Sequence, residues 1–180
     1  MSIADLRSTL PEYAKDLKLN LDSVLSEAGA PGLNKAQIAM IALGSAIAAR
    51  YKPLTEAIAV FAGENASPEQ VTAAKGSAAI MGMNNIYYRF QHLVSHPEYE
   101  TLPAKLRMNV IGAYKGDAKN DFELVSLAVS AVNGCGMCID SHDKVLRDGG
   151  VSVQAIQSAV RIASVIHAVA VVLEQAEAAG

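Results

Sequence analysis

Two cysteines and a histidine lie at spacings that suit thiol chemistry. The only cysteines of the chain, Cys135 and Cys138, are three residues apart, and His142 follows four residues later. Positions three or four apart share a helix face, so the two sulfurs and the imidazole form one row. The row follows Asn133-Gly134, a typical helix stop, which predicts Cys135 in the first turn of a new helix, where amide N–H groups and the helix dipole favour a thiolate. Two thiols, one activated and one resolving, are what reversible disulfide chemistry requires.

A carboxylate is within plausible reach of this row. Glu123 precedes Cys135 by twelve residues. If the chain reverses at Asn133-Gly134, Glu123 lies roughly 16 Å back along one helix and His142 roughly 10 Å along the returning one, at 1.5 Å per residue. A carboxylate at that level can orient or charge the imidazole, directly or through water. The four side chains can thus be drawn as one proton relay, although an acid near a helix start can also serve only to complement the dipole.

Other interpretations of the cysteine pair remain open. The two cysteines could be no more than small hydrophobic residues of the core, in which case their spacing of three arose by chance. A zinc site is the sharper alternative, but the pair and His142 supply three ligands, and His92, His96 and His167 are not at the spacing of a zinc knuckle. A thioredoxin-like site is disfavoured because no strand leads into the motif. His167, in an apolar stretch, is interpreted as a core histidine.

Composition favours a single all-α domain of residues 1–180. The chain is 51% hydrophobic and alanine-rich, with 5% aromatic residues, no Trp and no convincing period-2 strand. A net charge of -3 without a basic tail gives no reason to expect nucleic acid or an anionic membrane surface. The longest strongly apolar stretches, residues 38–49 and 162–173, are too short to span a bilayer. The N-terminus does not resemble a secretory signal, which predicts a cytoplasmic location.

Capping signals place the helices that carry these residues. Asn34 with Gln37, and Ser67 with Gln70, have capping-box spacing, and Ser152 can cap the last helix. Helices are predicted at residues 2–10, 11–25, 35–50, 54–62, 68–93, 135–148 and 153–177, with one or two turns at 106–111. A further helix, ending at residue 133, is expected to start with Asn120 or Asp121 as its cap.

The chain resembles itself at an offset of 85 residues. The offset aligns serines, alanines and valines as well as the helix caps and breaks, which suggests two similar half-domains, about 1–95 and 96–180. The first half has Arg50, Pro53 and Ala57 where the second has the two cysteines and the histidine, so only the second carries the redox motif. The segment of residues 81–89 is predicted to pack at an interface between subunits or halves, with Gly82 at a close helix crossing.

Several segments together resemble the alkyl hydroperoxidase D family of bacterial antioxidant defence. They are LPEYAKD at residues 10–16, MGMNNIYYR at 81–89, NDFEL at 120–124 and AVSAVNGC at 128–135, followed by Cys138 and His142. The resemblance runs essentially end to end. It implies an all-α fold related to carboxymuconolactone decarboxylases, with two similar half-domains and a homotrimeric assembly.

The resemblance also implies an activity and roles for individual residues. It implies a lipoyl-dependent peroxidase with no bound cofactor or metal, whose Cys135–Cys138 disulfide is reduced by a lipoylated dihydrolipoyl acyltransferase and which in turn reduces a peroxiredoxin partner. Cys138 would be the exposed thiol that forms a sulfenic acid or an interchain disulfide with the peroxiredoxin. Cys135 would be the proton donor and resolving thiol, and His142 and Glu123 would complete the relay.

One position departs from the family pattern. Family members often have His between the two cysteines, where this chain has Met137, and a thioether cannot carry a proton. The relay then either bypasses this position through water or runs more slowly. The alternative function is a non-redox carboxymuconolactone decarboxylase-like enzyme, or a helical oligomeric binding protein whose thiols are incidental.

Overall fold

A computed structural model describes residues 2–178, within which the chain forms helices and no strand. Eight α-helices occur in these residues: α1 (Ile3–Ser8), α2 (Lys15–Val24), α3 (Lys35–Ala49), α4 (Lys52–Asn65), α5 (Pro68–Leu93), α6 (Asp117–Val132), α7 (Gly136–Asp148) and α8 (Val153–Ala178). Short 3-10 segments occur at Glu12–Ala14, Pro97–Thr101 and Asn109–Ala113. The all-α prediction is confirmed.

Helices α3 and α6 form the centre of the molecule. Helix α3 packs against α4, α5, α6 and α8, and α6 packs against α3, α5, α7 and α8. Every residue from Ile38 to Ala46 is buried, because this part of α3 is covered on all sides. The close approach of α3 to α6 requires Gly44, since a Cβ there would overlap Val125 Cγ1. Of this central pair, α6 packs directly against α7.

Most of the predicted caps are confirmed. Asn34 and Ser67 both form complete capping boxes, with Gln37 and Gln70 respectively. The hydroxyl of Ser152 accepts a hydrogen bond from the Ala155 amide at 3.1 Å. Local sequence therefore determines where α3, α5 and α8 begin.

The predicted start of α6 is wrong. The helix begins at Asp117, after Gly116 with a φ of 56°. Asn120 and Asp121 lie inside the helix, where Asn120 donates to the Gly149 carbonyl at 3.1 Å and Asp121 accepts from Gln37 Nε2 at 2.8 Å. Both polar side chains bind residues outside α6 and do not cap its N-terminus.

Smaller differences concern two prolines and the middle loop. Pro53 lies in the first turn of α4 and does not precede the helix. Pro11 precedes the 3-10 segment Glu12–Ala14, which separates it from α2. The turn predicted at 106–111 lies slightly later, at Asn109–Ala113.

The apolar part of helix α8 is longer than the stretch of residues 162–173 that the sequence pattern indicated. The segment Val153–Ala176 is long and apolar enough to cross a membrane on length and composition, which corrects the estimate from residues 162–173. Half of its most apolar window is buried inside the chain, against α2, α3 and α6. Burial of this kind is what the core helix of a helical domain shows.

The helices of the two halves keep the predicted offset. Adding 85 to the bounds of α5 gives 153–178, which are the bounds of α8. The same shift brings α3 to 120–134 and α4 to 137–150, close to α6 and α7. The division into two similar half-domains stays a prediction that these bounds agree with.

Candidate active site

A tight reversal between α6 and α7 positions the cysteines. Helix α6 ends at Val132 with Asn133 as its C-cap, and Gly134 adopts the left-handed conformation, with a φ of 68°, which a residue with a side chain rarely adopts. The next residue, Cys135, is the N-cap of α7. Arg89 of α5 donates to the Asn133 carbonyl at 2.6 Å, and this contact holds the reversal against α5. The predicted helix stop is confirmed, and α7 folds back along α6.

Cys135 and Cys138 are joined by a disulfide bond at the N-terminus of α7. The Cys138 amide donates to the sulfur of Cys135 at 3.3 Å, so a sulfur atom caps the helix. Cys135 is 0% exposed and Cys138 is 5% exposed. Cys138 is therefore not exposed in this disulfide form, contrary to the expectation, but it is the cysteine that faces the pocket described below.

Glu123 and His142 form a buried pair beside the disulfide. Glu123 Oε2 lies 2.6 Å from His142 Nδ1, and their side chains are 7% and 13% exposed. Glu123 lies in the second turn of α6, beyond the first turn, where an acid complements the helix dipole. The residue as a whole is 5% exposed. The pairing predicted from spacing is confirmed as a direct contact. A carboxylate at Nδ1 fixes the ring so that Nε2 is the nitrogen left to exchange a proton.

Met81 of α5 contacts the other side of the imidazole, and the sequence analysis did not identify this residue as part of the site. Its sulfur lies 3.2 Å from His142 Nε2 and its side chain is buried. A thioether is a weak acceptor, so the Met81 sulfur can accept a hydrogen bond from Nε2–H when the ring is protonated, but it does not take the proton. The residues are 61 positions apart, and no local spacing relates them.

A pocket of about 380 Å³ opens onto this group. One wall is a stripe of α5 and the facing wall is a stripe of α7, while Met108 and Ile111 come from the loop between α5 and α6. The walls are largely apolar, and the polar groups are few. The lining residues are Met81, Asn84, Tyr88, Met108, Ile111, Glu123, Met137, Cys138, Ser141, His142 and Val145.

The chain is similar to known proteins both in its carboxyl-terminal half and over its whole length. Residues 97–180 match the carboxymuconolactone decarboxylase family. The chain is 53% identical to the alkyl hydroperoxide reductase AhpD of Gluconacetobacter diazotrophicus over 180 residues, which cover 100% of this chain and 97% of that protein. The AhpD proteins of Rhizorhabdus wittichii and Streptomyces griseus are 51% and 53% identical, over 96% and 97% of this chain and 97% and 96% of theirs.

The chain belongs to the AhpD family. Similarity at this level over the full length confirms the resemblance found in the sequence motifs. The disulfide, the Glu123–His142 pair and the pocket are therefore features of an AhpD-family protein.

The remaining histidines of this AhpD-family chain do not line the pocket that Cys138 faces. His167 is exposed on α8, so its interpretation as a core histidine is wrong. Its helix places it outward beside a shallow cleft with Ser164 and Ala163. His96 pairs at the surface with Glu98 at 3.6 Å. Within residues 2–178, no group of three or more His, Cys, Asp or Glu side chains is arranged to hold a metal ion.

Met137 and Gly82 occupy positions with more open surroundings. Met137 is 39% exposed and forms part of the pocket wall.

A Cβ at Gly82 would have no atom within 4 Å, so the close helix crossing predicted there does not occur within the chain. Gly82 lines an open cleft together with Ile47, Ile86 and Arg89.

Proposed function

We propose that this protein is an antioxidant thiol–disulfide oxidoreductase that reduces hydroperoxides through Cys135 and Cys138. The observation that carries the proposal is the buried Glu123–His142 contact of 2.6 Å beside a disulfide that faces an apolar pocket. Its relatives are named alkyl hydroperoxide reductases. A base held by a carboxylate, next to a thiol pair, is the arrangement that activates a sulfur nucleophile.

In the oxidative half-reaction, Cys138 is the attacking sulfur. His142 takes the thiol proton, and the Cys138 thiolate attacks the terminal oxygen of the hydroperoxide, so that an S–O bond forms and the O–O bond breaks. The departing alkoxide takes the proton from His142 and leaves as an alcohol, and Cys138 becomes a sulfenic acid. Cys135 then attacks the Cys138 sulfur, hydroxide leaves with the Cys135 proton as water, and the disulfide forms.

In the reductive half-reaction, a dithiol returns both sulfurs to thiols. A thiolate of a dihydrolipoyl group attacks Cys138, which faces the pocket, and the Cys135–Cys138 bond breaks. The electron pair leaves on Cys135, where the Cys138 amide already donates to the sulfur at 3.3 Å. That contact and the helix dipole stabilise the leaving thiolate by on the order of 0.3–1 kcal/mol. The second lipoyl thiol then loses its proton and displaces Cys138, and the lipoyl group leaves as a cyclic disulfide. The two protons given up by the lipoyl thiols return Cys135 and Cys138 to thiols.

The proposed partners follow from the same chemistry. They are a lipoylated dihydrolipoyl acyltransferase as electron donor and a peroxiredoxin as acceptor, linked transiently to Cys138 in the cytoplasm. Cys138 must then become more accessible than its 5% exposure in the disulfide form. An assembly of several subunits, which we propose to be a homotrimer, is supported by the exposed apolar face of α5, where Ile86 is 60% and Leu93 is 71% exposed.

Thiol titration tests the redox proposal. The reduced protein is treated with cumene hydroperoxide at neutral pH and then alkylated, and mass spectrometry counts the labels. We expect two labels before and none after oxidation, with a Cys138→Ser variant unable to form the disulfide. If both cysteines stay alkylatable after peroxide, the proposal fails.

The match of residues 97–180 to the carboxymuconolactone decarboxylase family favours one alternative, a non-redox enzyme or binding protein on the same fold. That alternative predicts that Cys138→Ser leaves the function unchanged. A structural zinc module instead predicts stoichiometric zinc retention in equilibrium dialysis, which Cys135→Ser would abolish.

A further inference from the structure

Two glycines flank Cys135, the resolving cysteine of the proposed reaction, and its backbone has no packing support at either. Gly134 and Gly136 are both exposed, and within residues 2–178 a Cβ added to either one would have no atom within 4 Å. Glycine also has the widest choice of backbone conformations. The sulfur of Cys135 nevertheless has to meet the sulfur of Cys138. Contacts outside residues 134–136 must therefore fix its position.

Hydrogen bonds from α5 and α6 supply this support just before the cysteine. The Cys135 amide donates to the Ser130 carbonyl at 3.1 Å. Asn85 of α5, which is 0% exposed, donates to Ser130 Oγ at 2.8 Å and accepts from Asn133 Nδ2 at 2.9 Å. Arg89, one turn further along α5, donates to the Asn133 carbonyl at 2.6 Å. The turn that carries Cys135 is thus held against α5 by both side chains.

Asn85 and Arg89 lie on the same face of α5 as Met81. The three residues follow one another at intervals of four, so they form one stripe along the helix. At one end of the stripe, the Met81 sulfur lies 3.2 Å from His142 Nε2. Further along, Asn85 and Arg89 bind the turn. A single helix face therefore reaches both the proposed base and the turn that carries the resolving thiol.

We propose that Arg89 and Asn85 are positioning residues for Cys135, which hold its thiol where it attacks the Cys138 sulfenic acid. The inference rests on the proposed function and concerns the second step of its oxidative half-reaction. In that step an S–S bond forms, the S–O bond of the sulfenic acid breaks, and hydroxide leaves as water with the Cys135 proton. Two groups held in a reactive arrangement behave as if they were at very high concentration. A turn released from α5 lowers this effective concentration, so the sulfenic acid survives longer.

Competition with dimedone, which traps sulfenic acids, measures the resolving step. Reduced protein is treated with cumene hydroperoxide in the presence of dimedone, and mass spectrometry gives the ratio of the Cys138 adduct to the Cys135–Cys138 disulfide. Arg89→Met removes the donor and keeps an unbranched side chain, and it is expected to raise this ratio about tenfold. The Cys138 thiol should be lost at a rate within about twofold of wild type, because the Glu123–His142 contact does not involve Arg89.

Two further arginine variants separate positioning from a general effect on the fold. Arg161→Met breaks a bond of the same kind on α8, where Arg161 Nη1 donates to the Gly29 carbonyl at 3.0 Å. It is expected to leave the ratio of adduct to disulfide unchanged. Arg89→Lys keeps a donor and the positive charge, so it should restore part of the wild-type ratio.

A second pair of variants reaches the turn independently and decides the question if Arg89→Met does not fold. Asn85→Ala removes both side-chain hydrogen bonds that Asn85 makes with α6 and its C-cap. Ser77→Ala is its control, because Ser77 and Ser126 form a buried hydrogen bond of 2.8 Å between the same two helices. We expect Asn85→Ala, but not Ser77→Ala, to raise the ratio of adduct to disulfide.

Equilibration with dithiothreitol tests the same geometry without peroxide. The protein is equilibrated with mixtures of reduced and oxidised dithiothreitol, and the fraction that carries the Cys135–Cys138 disulfide is measured. Arg89→Met is expected to lower the equilibrium constant for disulfide formation about tenfold, which raises the reduction potential of the pair by about 30 mV.

The outcomes distinguish this inference from the proposed function. A wild-type adduct ratio and a wild-type dithiothreitol equilibrium in both Arg89→Met and Asn85→Ala would overturn the positioning role, as would an equal shift in Arg161→Met. If the wild-type thiols do not react with peroxide, but the dithiothreitol equilibrium shifts in Arg89→Met and not in Arg161→Met, the positioning role stands and the proposed function falls.

Discussion

The contact between Glu123 and His142 permits a quantitative test of the relay. Glu123→Gln keeps the size of the side chain and a hydrogen-bonding group at the same place, but it removes the negative charge. The pair is buried, with side-chain exposures of 7% and 13%, and its atoms are 2.6 Å apart. A hydrogen bond to a charged group in such a position contributes about 1.5–3 kcal/mol.

This energy sets the expected loss of rate. The carboxylate stabilises the imidazolium that forms when His142 takes the thiol proton, so its contribution appears in the transition state. At 1.36 kcal/mol per factor of ten, the loss of about 1.5–3 kcal/mol slows thiol oxidation by roughly 10- to 150-fold. His142→Ala removes the base itself and is expected to slow the reaction at least as much.

A single-turnover assay measures this effect without the reductant. Reduced protein is mixed with cumene hydroperoxide, quenched by alkylation at successive times and analysed by mass spectrometry for the Cys135–Cys138 disulfide. Circular dichroism checks that the helices are intact. Glu98→Gln is the matched control, because Glu98 also pairs with a histidine, His96, but at 3.6 Å and with both side chains more than two-thirds exposed.

The control is expected to oxidise at the wild-type rate. A rate for Glu123→Gln within twofold of wild type, in a folded protein, would refute the role of the carboxylate in the relay. The contact would then serve only to fill the interface between α6 and α7.

The remaining predictions concern packing and the departure from the family pattern. Gly44→Ala is expected to destabilise the fold by about 1–3 kcal/mol in denaturant unfolding, because its Cβ would overlap Val125 Cγ1. Gly63→Ala, on α4 with no atom within 4 Å, should instead stabilise by about 0.5–1 kcal/mol, and equal effects would contradict the close α3–α6 approach. Met137→His is expected to change the single-turnover rate less than threefold, because the Glu123–His142 contact forms without it. A tenfold gain would show that the relay of this chain is limited at Met137.

The helices were predictable where the signal lies within a few residues. A capping box acts over three positions, and the boxes at Asn34 and Ser67 form as expected. The stop at Asn133-Gly134 is equally local, since it depends on one residue in the left-handed conformation. The start of α6 was not predictable in this way, because Asp121 is a potential cap that binds Gln37, 84 residues away.

The same distinction applies to the site. Cys135, Cys138 and His142 are related by the helix repeat, and their common face could be read from spacing. Predicting the contact between Glu123 and His142 required only one assumption, that the chain reverses at Asn133-Gly134. The contact is confirmed. The burial of Cys138 and the exposure of His167 depend on which helices cover them, which the periodicity of α7 and α8 alone does not determine.

The most consequential difference concerns how the two halves share the chemistry. The motif lies entirely after residue 96, which predicted that only the second half is chemically equipped. In the structure, α5 of the first half supplies a wall of the pocket, and the Met81 sulfur lies 3.2 Å from His142 Nε2. In the proposed reaction, the second half holds the groups that exchange protons and electrons, whereas the first half provides one wall of the pocket. Helices α5 and α7 form facing walls of the pocket. Substitutions of the pocket-lining residues in α5 are therefore expected to change substrate preference, whereas substitutions in α7 should alter the rate of the chemical step.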